Sequence, residues 1–286
     1  MPELPEVEVV KQSLDKKIKL KKINKVLVRN RNLRFKVPKK FEFFLKHKTI
    51  NNITRKSKYL IFHLNNKTFL IFHFGMSGTM HLVKKKFLMN TNLSFYGSSS
   101  LPKKHNHIVF FINKHELIYN DPRRFGFAKI IKNEKELKIF FDRIGPEPLD
   151  QEFNIDYIYK YLNKKKKIIK SFLLDQKFVS GIGNIYASEI LYYSKINPLK
   201  QAKKISKKEI KKIRYFSKFV LIKAIQKGGS SIRDFKNIKG KAGNYQSEFK
   251  VYDREKMHCL DKSCTGKIIK KNISNRSTFF CNSCQK

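Results

Sequence analysis

The sequence has few acidic residues, no Trp, and no long apolar run. It contains 22 Asp and Glu against 64 Lys and Arg in 286 residues. No apolar stretch approaches the roughly 20 residues of a membrane span. The first residues alternate with carboxylates and lack the basic and then apolar pattern of a secretory signal. We therefore expect a cytoplasmic protein that is long enough to form more than one domain.

The net charge of +42 predicts a polyanionic partner, and nucleic acid fits such a field best. Abundant Lys, Ile, Asn and Phe with few Gly and Pro also resemble AT-biased coding, so part of the Lys excess is solvated surface. The 11 Arg are more informative, because a guanidinium offers a planar fork of donors that Lys cannot imitate. Arg123, Arg124 and Arg276 lie in segments that other features also mark.

The opening Met1-Pro2-Glu3-Leu4-Pro5-Glu6 predicts a nucleophile beside its acid/base partner. Removal of Met1 would leave Pro2 as a free secondary amine next to the Glu3 carboxyl. An α-amino group has a pKa of about 7.7 to 8, against about 10.4 for Lys, so more of it is unprotonated at neutral pH. The alternative is that the prolines only fix the backbone ahead of the first helix.

Apolar spacing predicts an α+β protein with several domains. Helical spacing at Leu4–Ile18 is followed, from about 23 to 131, by short β-type runs joined at turns such as 65–67 and 113–115. Repeated hairpins are typical of a β-sandwich. Helical spacing returns at 154–227, after a Gly- and Pro-containing break at 145–149. We predict a β-sandwich domain at 1–144, a helical domain at 145–249 and a cysteine-containing hairpin at 250–286.

All four cysteines form two pairs, Cys259-x4-Cys264 and Cys281-x2-Cys284. Two such pairs predict tetrahedral zinc, and the β-like residues between them predict a zinc-ribbon hairpin. Four thiolates leave no open position for chemistry, so we expect one structural Zn²⁺, with His258 a neighbour rather than a ligand. Two disulfides are the alternative, which a reducing compartment disfavours.

Five segments, in this order, resemble the bacterial formamidopyrimidine-DNA glycosylase family: Pro2-Glu3, HFGMSG at 73–78, DPRRFG at 121–126, GIGNIYA at 181–187, and the cysteine cluster. They span essentially the whole chain, and Leu4 favours the guanine-lesion branch over the sister endonuclease VIII branch. The resemblance implies a monomer that flips oxidised purines, such as 8-oxoguanine and formamidopyrimidines, out of double-stranded DNA and excises them. It would then nick the strand at the abasic site by β,δ-elimination. It also implies a catalytic β-sandwich, a helix-two-turns-helix domain with a base-capping loop, and a zinc finger.

The catalytic residues implied by the resemblance are Pro2, Glu3, Lys58 and Arg276. Pro2 would attack C1′ of the flipped nucleotide to form a Schiff base, and Glu3 would transfer protons within hydrogen-bond reach. Lys58 matches the lysine at the lesion phosphate that donates a proton in β-elimination. Arg276 matches the finger arginine that grips phosphates and is linked to δ-elimination. Without the resemblance, solvated surface is the default for Lys58 and Arg276.

The DNA-binding residues implied are Met76, His105, Arg123, Phe125, Lys165 and Asn184. The triad of Met76, Arg123 and Phe125 would fill the hole left by the flipped base. Core packing is the alternative for Met76 and Phe125, although the glycines around Met76 favour an exposed turn. Asn184 would add a donor at a phosphate-facing helix start. His105 and Lys165 match further contact positions. Each stands near a residue of the same type: His107 lies close to His105, and Lys165 belongs to the lysine run at 164–167.

Departures from the family pattern are the x4 spacing of the first cysteine pair, Arg233 where Lys is common, and residues 243–245 of the base-capping loop. The segment 84–104 is also expanded, and we expect a long mobile loop there. Two other functions stay open: an oxidised-pyrimidine glycosylase of the endonuclease VIII type, and a non-catalytic zinc-ribbon that binds nucleic acid. Pro2, Glu3 and Lys58 together argue against the second, because a pure binder gains nothing from a free amine.

Overall fold

The computed structural model describes residues 1–84, 87–89, 103–230, 244–273 and 275–286. The chain forms two compact units, Met1–Asp142 with Ile225–Gln246, and Arg143–Ala224 with Ser247–Lys286. In the described ranges, no helix is both long and apolar enough to cross a membrane.

The first unit is a β-sandwich with flanking helices. Its helices are α1 (Leu4–Ile18), α2 (Phe41–Leu45) and α3 (Glu134–Phe141). Its strands are β1 (Ile23–Val28), β2 (Ile50–Lys56), β3 (Tyr59–Leu64), β4 (Phe69–His73), β5 (Thr79–Lys84), β6 (Phe87–Met89), β7 (Asn106–Ile112), β8 (His115–Asn120) and β9 (Phe127–Ile131). One sheet has the order β1-β7-β8-β5-β6 and the other the order β2-β3-β4-β9.

The sandwich core forms because apolar side chains alternate along the strands and point to one face of each sheet. Phe62 and Phe72 from one sheet and Phe110 from the other are buried in a single cluster. Val10 and Leu14 of α1 join this cluster, so the helix that follows the N-terminus is fixed against the core. The predicted sandwich is confirmed. Strands β2 and β3 pair antiparallel, and Lys58 lies in the turn between them.

The second unit is helical and carries the cysteine hairpin. Its elements are α4 (Ile155–Leu162), α5 (Ile169–Leu174), α6 (Asn184–Ser194), α7 (Lys207–Gln226, whose last residues belong to the first unit), β10 (Ile268–Ile273) and β11 (Arg276–Cys281). The buried Glu189 of α6 accepts hydrogen bonds from the backbone N–H groups of Lys250, Val251 and Tyr252. This carboxylate attaches the start of the C-terminal segment to α6. The α+β class predicted from the sequence is confirmed.

The segment 84–104 is not all loop, because β6 within it pairs with β5. Residues 85–86 and 90–102 lie outside the described residues, and so do Arg233 and most of the base-capping loop at 231–243.

Candidate active site and nucleic-acid interface

The N-terminus is held by a reciprocal capping box at the start of α1. The Glu6 side chain accepts the Glu3 backbone N–H at 2.8 Å, and the Glu3 side chain accepts the backbone N–H of Glu6. Both carboxylates are buried. Two of the helix's first N–H groups thereby gain acceptors, and acidic groups are favoured at this positive end of the helix dipole. Pro2 is itself buried and directly precedes Glu3 in the chain.

Glu6 also binds the first unit's second chain segment. Its Oε1 accepts the backbone N–H of Ser230 at 2.8 Å and the Ser230 hydroxyl at 3.0 Å. Gly229 precedes this contact at φ +83°, where a Cβ would lie 3.0 Å from the Glu6 carboxylate. A side chain at 229 would be strained and crowded, so glycine permits this close approach.

Lys58 is held in its turn by a charged contact with α1. The Arg55 guanidinium donates to the Glu8 carboxylate at 2.9 Å and to the Ser57 carbonyl at 3.0 Å. Ser57 has φ 56°, so the turn is left-handed just before Lys58. Lys58 is only 5% exposed. The ion pair therefore fixes the turn carrying Lys58 against the helix that begins with the N-terminus.

A cavity of about 660 Å³ brings the N-terminus together with the predicted wedge. Its lining includes Met1, Arg34, His73, Met76, Arg123 and Phe125. Met76 and Phe125 are each 45% exposed, so the core alternative for these two is wrong. The Arg123 guanidinium lies 4.6 Å from the Phe125 ring centre, which places both side chains on the same side of their loop.

The two loops that carry the wedge are joined through Asp121. Its carboxylate accepts hydrogen bonds from the Ser77 hydroxyl, from the Tyr119 hydroxyl at 3.2 Å and from the Gly126 N–H at 2.8 Å. Ser77 in turn accepts the Arg123 backbone N–H at 3.1 Å. A Cβ on Gly126 would lie 2.0 Å from the Tyr119 hydroxyl, so the backbone packs too closely for a side chain.

His105 belongs to the same loop assembly. Its carbonyl accepts the Asp121 backbone N–H at 3.0 Å, and its side chain is partly exposed. The neighbouring His107 is buried, with Nε2 2.7 Å from the Asp121 carbonyl. Of the two histidines, only His105 is accessible to a ligand.

The cavity wall favours the uncharged forms of two basic groups, the Met1 α-amino group and the His73 imidazole. Burial lowers the pKa of the Met1 α-amino group below 8.0; Glu3 and Glu6 oppose this shift, and Lys58 adds to it. Burial, Lys58 and Arg34 lower the pKa of His73 to about 4. His73 is therefore uncharged at neutral pH, and its Nδ1 accepts the Gly75 N–H at 3.2 Å.

The second unit holds the other predicted residues. Asn184 begins α6, and its side-chain amide donates to the Ser277 carbonyl at 2.8 Å. Arg276 is exposed at the start of β11 and lines a cavity of about 460 Å³. Lys170, buried in the wall of that cavity, donates to the Thr278 hydroxyl at 2.6 Å. Asn184 and Lys170 thus hold the hairpin beside Arg276, and Lys165 is exposed before α5.

The four cysteines come together as free thiols. Their sulfur atoms all lie within 4.8 Å of one another; Cys259 and Cys284 are 3.8 Å apart, and Cys264 and Cys281 are 3.6 Å apart. These separations are far longer than the bond of about 2.05 Å in a disulfide, so the disulfide alternative is wrong. The cluster could hold a metal ion.

Several residues of the site were not among the sequence predictions. Arg34 and His73 line the cavity, and Ser77, Asp121 and Glu6 position its walls. A signal existed for His73, Ser77 and Asp121, because each stands in a segment already marked by the motif pattern. Arg34 had no local signal, since its position depends on how the strands pack.

A terminal amine at a cavity lined by Met76, Arg123 and Phe125, in one chain with a helical unit and a four-cysteine hairpin, is the arrangement that the resemblance implies for a DNA-repair glycosylase. The family model for the formamidopyrimidine-DNA glycosylase N-terminal domain matches residues 1–128, and that for the H2TH domain of the same enzyme matches 144–236. The chain belongs to the formamidopyrimidine-DNA glycosylase family.

Curated relatives named formamidopyrimidine-DNA glycosylase are similar over the full length of both chains. Those from Wolbachia sp. subsp. Drosophila simulans and from Rickettsia bellii are each 41% identical to this chain, with 100% of both proteins covered. Among solved structures, a Lactococcus lactis enzyme with DNA containing an abasic site has a TM-score of 0.86 and 33% identity, with 99% of each chain covered. A mutant of that enzyme with Fapy-dG containing DNA has a TM-score of 0.88 and 34% identity, with 100% of each covered.

Proposed function

We propose that this protein excises oxidised purines, namely 8-oxoguanine and formamidopyrimidines, from duplex DNA and then nicks the strand at the resulting abasic site. The observation that supports this most directly is the cavity that joins the N-terminus to Met76, Arg123 and Phe125. A non-catalytic binder would have no use for an amine at this position. The solved relatives were bound to DNA containing an abasic site or Fapy-dG, which supports damaged duplex DNA as the partner.

Pro2, once Met1 is removed, is the proposed nucleophile. Its lone pair forms a bond to C1′ as the bond from C1′ to the base breaks, and the base leaves with a proton. Protonation of the ring oxygen opens the sugar and leaves an iminium on the amine. Burial lowers the pKa of the Met1 amine, whereas Glu3 and Glu6 raise it. Pro2 is itself buried, so the same desolvation would favour the free base of its amine.

Glu3 and Lys58 are the proposed proton carriers. Glu3 protonates the opening sugar and later takes a proton from the water that releases the enzyme. Loss of a C2′ proton to solvent breaks the C3′–O bond and expels the 3′ phosphate, and Lys58 supplies a proton to the departing phosphate oxygen. Loss of a C4′ proton then expels the 5′ phosphate, the step to which Arg276 is linked. Arg55 bonds both Glu8 of the N-terminal helix and the Ser57 carbonyl next to Lys58. Glu3, at the start of that helix, and Lys58 therefore keep a fixed spacing.

Met76, Arg123 and Phe125 are proposed to occupy the space left by the flipped nucleotide. Met76 and Phe125 offer half-exposed apolar surface for unstacking, and Arg123 offers donors to the widowed base. His105, Lys165 and Asn184 are proposed to bind phosphates, together with Arg276. On this proposal, residues 1–144 carry out the chemistry, 145–249 bind DNA and cap the base, and 250–286 form the zinc finger.

We propose that the four cysteines hold one structural Zn²⁺. Tetrahedral zinc with bonds of about 2.3 Å to sulfur requires sulfur separations of about 3.8 Å, and the separations of 3.8 Å for Cys259 and Cys284 and 3.6 Å for Cys264 and Cys281 are close to that value. When bound, the ion would supply rigidity and no reaction step, since four thiolates complete its coordination. Free thiols of this kind persist in the cytoplasm, which is where we place the protein.

Trapping with borohydride on abasic duplex DNA tests the function. The reagent reduces an iminium to a stable amine, so an enzyme gives a covalent protein–DNA adduct and a binder gives none. A form with an N-terminal tag that prevents exposure of Pro2 should bind the duplex but form no adduct, whereas a C-terminal tag should leave trapping intact. Adduct formation by the N-terminally blocked form would reject Pro2. Faster excision of thymine glycol than of 8-oxoguanine would reject the substrate class.

A further inference from the structure

Lys195 ends α6 in a conformation that lysine rarely adopts. Its φ is 59° and its ψ is 35°, the left-handed region, and its N–H caps the carbonyls of Leu191 and Tyr192. Glycine is the usual residue at such a helix end, because any Cβ is strained there. The backbone conformation at this position therefore does not favour lysine, and the contacts of the Lys195 side chain must account for it.

The Lys195 ammonium lies against the cysteine cluster. Its Nζ is 3.5 Å from the Cys284 sulfur, and it also forms an ion pair with Asp261. The same ammonium is 5.1 Å from the Tyr192 ring centre, and the Tyr192 hydroxyl is 3.5 Å from the Cys259 sulfur. The last turn of α6 and its cap thus contact one sulfur in each cysteine pair.

Asp261 lies inside the longer-than-usual spacing of the first cysteine pair. Its Oδ1 accepts the Ser263 N–H at 3.0 Å and the Ser263 hydroxyl at 2.7 Å, while Oδ2 binds Lys195. The Asp261 carbonyl also accepts the Cys264 N–H at 3.0 Å. The x4 loop therefore contributes a fixed carboxylate that aims the Lys195 ammonium at Cys284.

We propose that Lys195, positioned by Asp261, hydrogen-bonds the Cys284 thiolate and slows the loss of zinc from the four-cysteine site. The inference rests on the zinc assignment proposed above. Four thiolates and one divalent cation carry a net charge of −2, and an adjacent ammonium offsets part of it. Groups that bond a metal ligand from outside the coordination set typically change metal affinity 10–100-fold.

Two substitutions at Lys195 distinguish the effect of its side-chain charge from the effect of its left-handed backbone. Lys195→Met keeps the length of the side chain without its charge, and Lys195→Gly also relieves the left-handed strain. Lys200→Met is the matched control, because Lys200 pairs with Glu209 at 2.7 Å and is similarly exposed, at 28% against 33% for Lys195. The measurement is the rate of zinc transfer from the purified, zinc-loaded full chain to a colorimetric chelator at fixed pH.

We expect both Lys195 variants to lose zinc roughly 10–100-fold faster than the parent protein, with Lys200→Met unchanged. Thermal unfolding of Lys195→Gly with zinc bound should occur at the same or a higher temperature, so faster zinc loss would not reflect a weakened fold. Cobalt-substituted variants should keep the thiolate charge-transfer spectrum of the parent, because the four ligands do not change.

Zinc release at the parent rate from both Lys195 variants, with one zinc bound, would overturn the inference. If Lys195→Met does not fold, Lys195→Gly and Asp261→Asn decide, and the latter should also accelerate release because it removes the ion pair. A chain that binds no zinc at all would overturn the zinc assignment itself, and that result is read directly from the metal content.

Discussion

The Ser77 hydroxyl donates a hydrogen bond to the Asp121 carboxylate, and this bond joins two loops separated by 44 positions in the chain. One loop carries Met76 and the other carries Arg123 and Phe125. Since Ser77 also accepts the Arg123 backbone N–H, the backbone segments that carry the proposed wedge are joined through the Ser77–Asp121 pair. A wedge that must separate stacked bases gains from such rigidity, because less ordering is needed when DNA binds.

Asp121→Ala should destabilise the first unit and weaken base excision. The change leaves three buried donors without their acceptor, at about 1–3 kcal/mol each, so the free energy of unfolding should fall by about 3 kcal/mol or more in urea titrations. Ser77→Ala removes one donor to Asp121 and also the acceptor of the Arg123 N–H, and it should cost about 1–3 kcal/mol. Excision of 8-oxoguanine should decrease more than trapping at a preformed abasic site, where no base has to be unstacked. An equal decrease in both would argue against a role in the wedge.

His73 should make stability depend on pH. Its folded pKa is about 4 and its ordinary value is 6.5, so the unfolded chain binds the extra proton between these values. The contribution is fully present above pH 6.5 and is lost as the pH falls from 6.5 towards 4, by about 3 kcal/mol in total. His73→Asn, which retains an acceptor for the Gly75 N–H, should reduce this loss in urea titrations between pH 7 and 4.5. A pH profile unchanged from the parent would refute the assignment.

Removing the proposed Zn²⁺ should weaken DNA binding through Arg276. Chelation releases the ends of the hairpin, and the loss of one charged hydrogen bond to phosphate corresponds to about tenfold or more in affinity. Fluorescence anisotropy with abasic duplex measures this change. Arg276→Ala with metal bound should lose a similar amount, and chelating that variant should add little, because both changes remove the same contact. Additive losses would show that the metal acts elsewhere.

Binding should fall steeply with salt. With 64 Lys and Arg, the protein should displace several counterions from DNA, and the logarithm of affinity should fall with a slope near −0.9 per phosphate neutralised. If Lys165 binds a DNA phosphate, Lys165→Ala should reduce the magnitude of the slope by about 1, the contribution of one phosphate contact. Lys114, in the hairpin turn between β7 and β8, offers a control position for the same substitution. An affinity that does not change with salt concentration would reject the electrostatic account.

Local features of the fold could be predicted from the sequence. The bounds of α1, the hairpin of β7 and β8, and the β-ribbon between the cysteine pairs follow from apolar spacing and turn residues within short windows. On α7, helical spacing alone is compatible with either Phe216 or Ser217 on the buried face, and the structure buries Ser217. Spacing fixes a face to within one residue, whereas neighbouring elements decide which of two adjacent side chains is covered.

The sequence by itself determined the class of site, because the opening amine, the glycine-flanked motifs and the cysteine pairs are each complete within a few residues. Only the tertiary structure decided which residues position them. Glu6 meets Ser230 across 224 positions, Arg55 meets Glu8 across 47, and Lys195 meets Cys284 across 89. Such contacts depend on strand order and helix packing, in which residues distant along the chain become neighbours, and no local pattern in one sequence encodes those pairings.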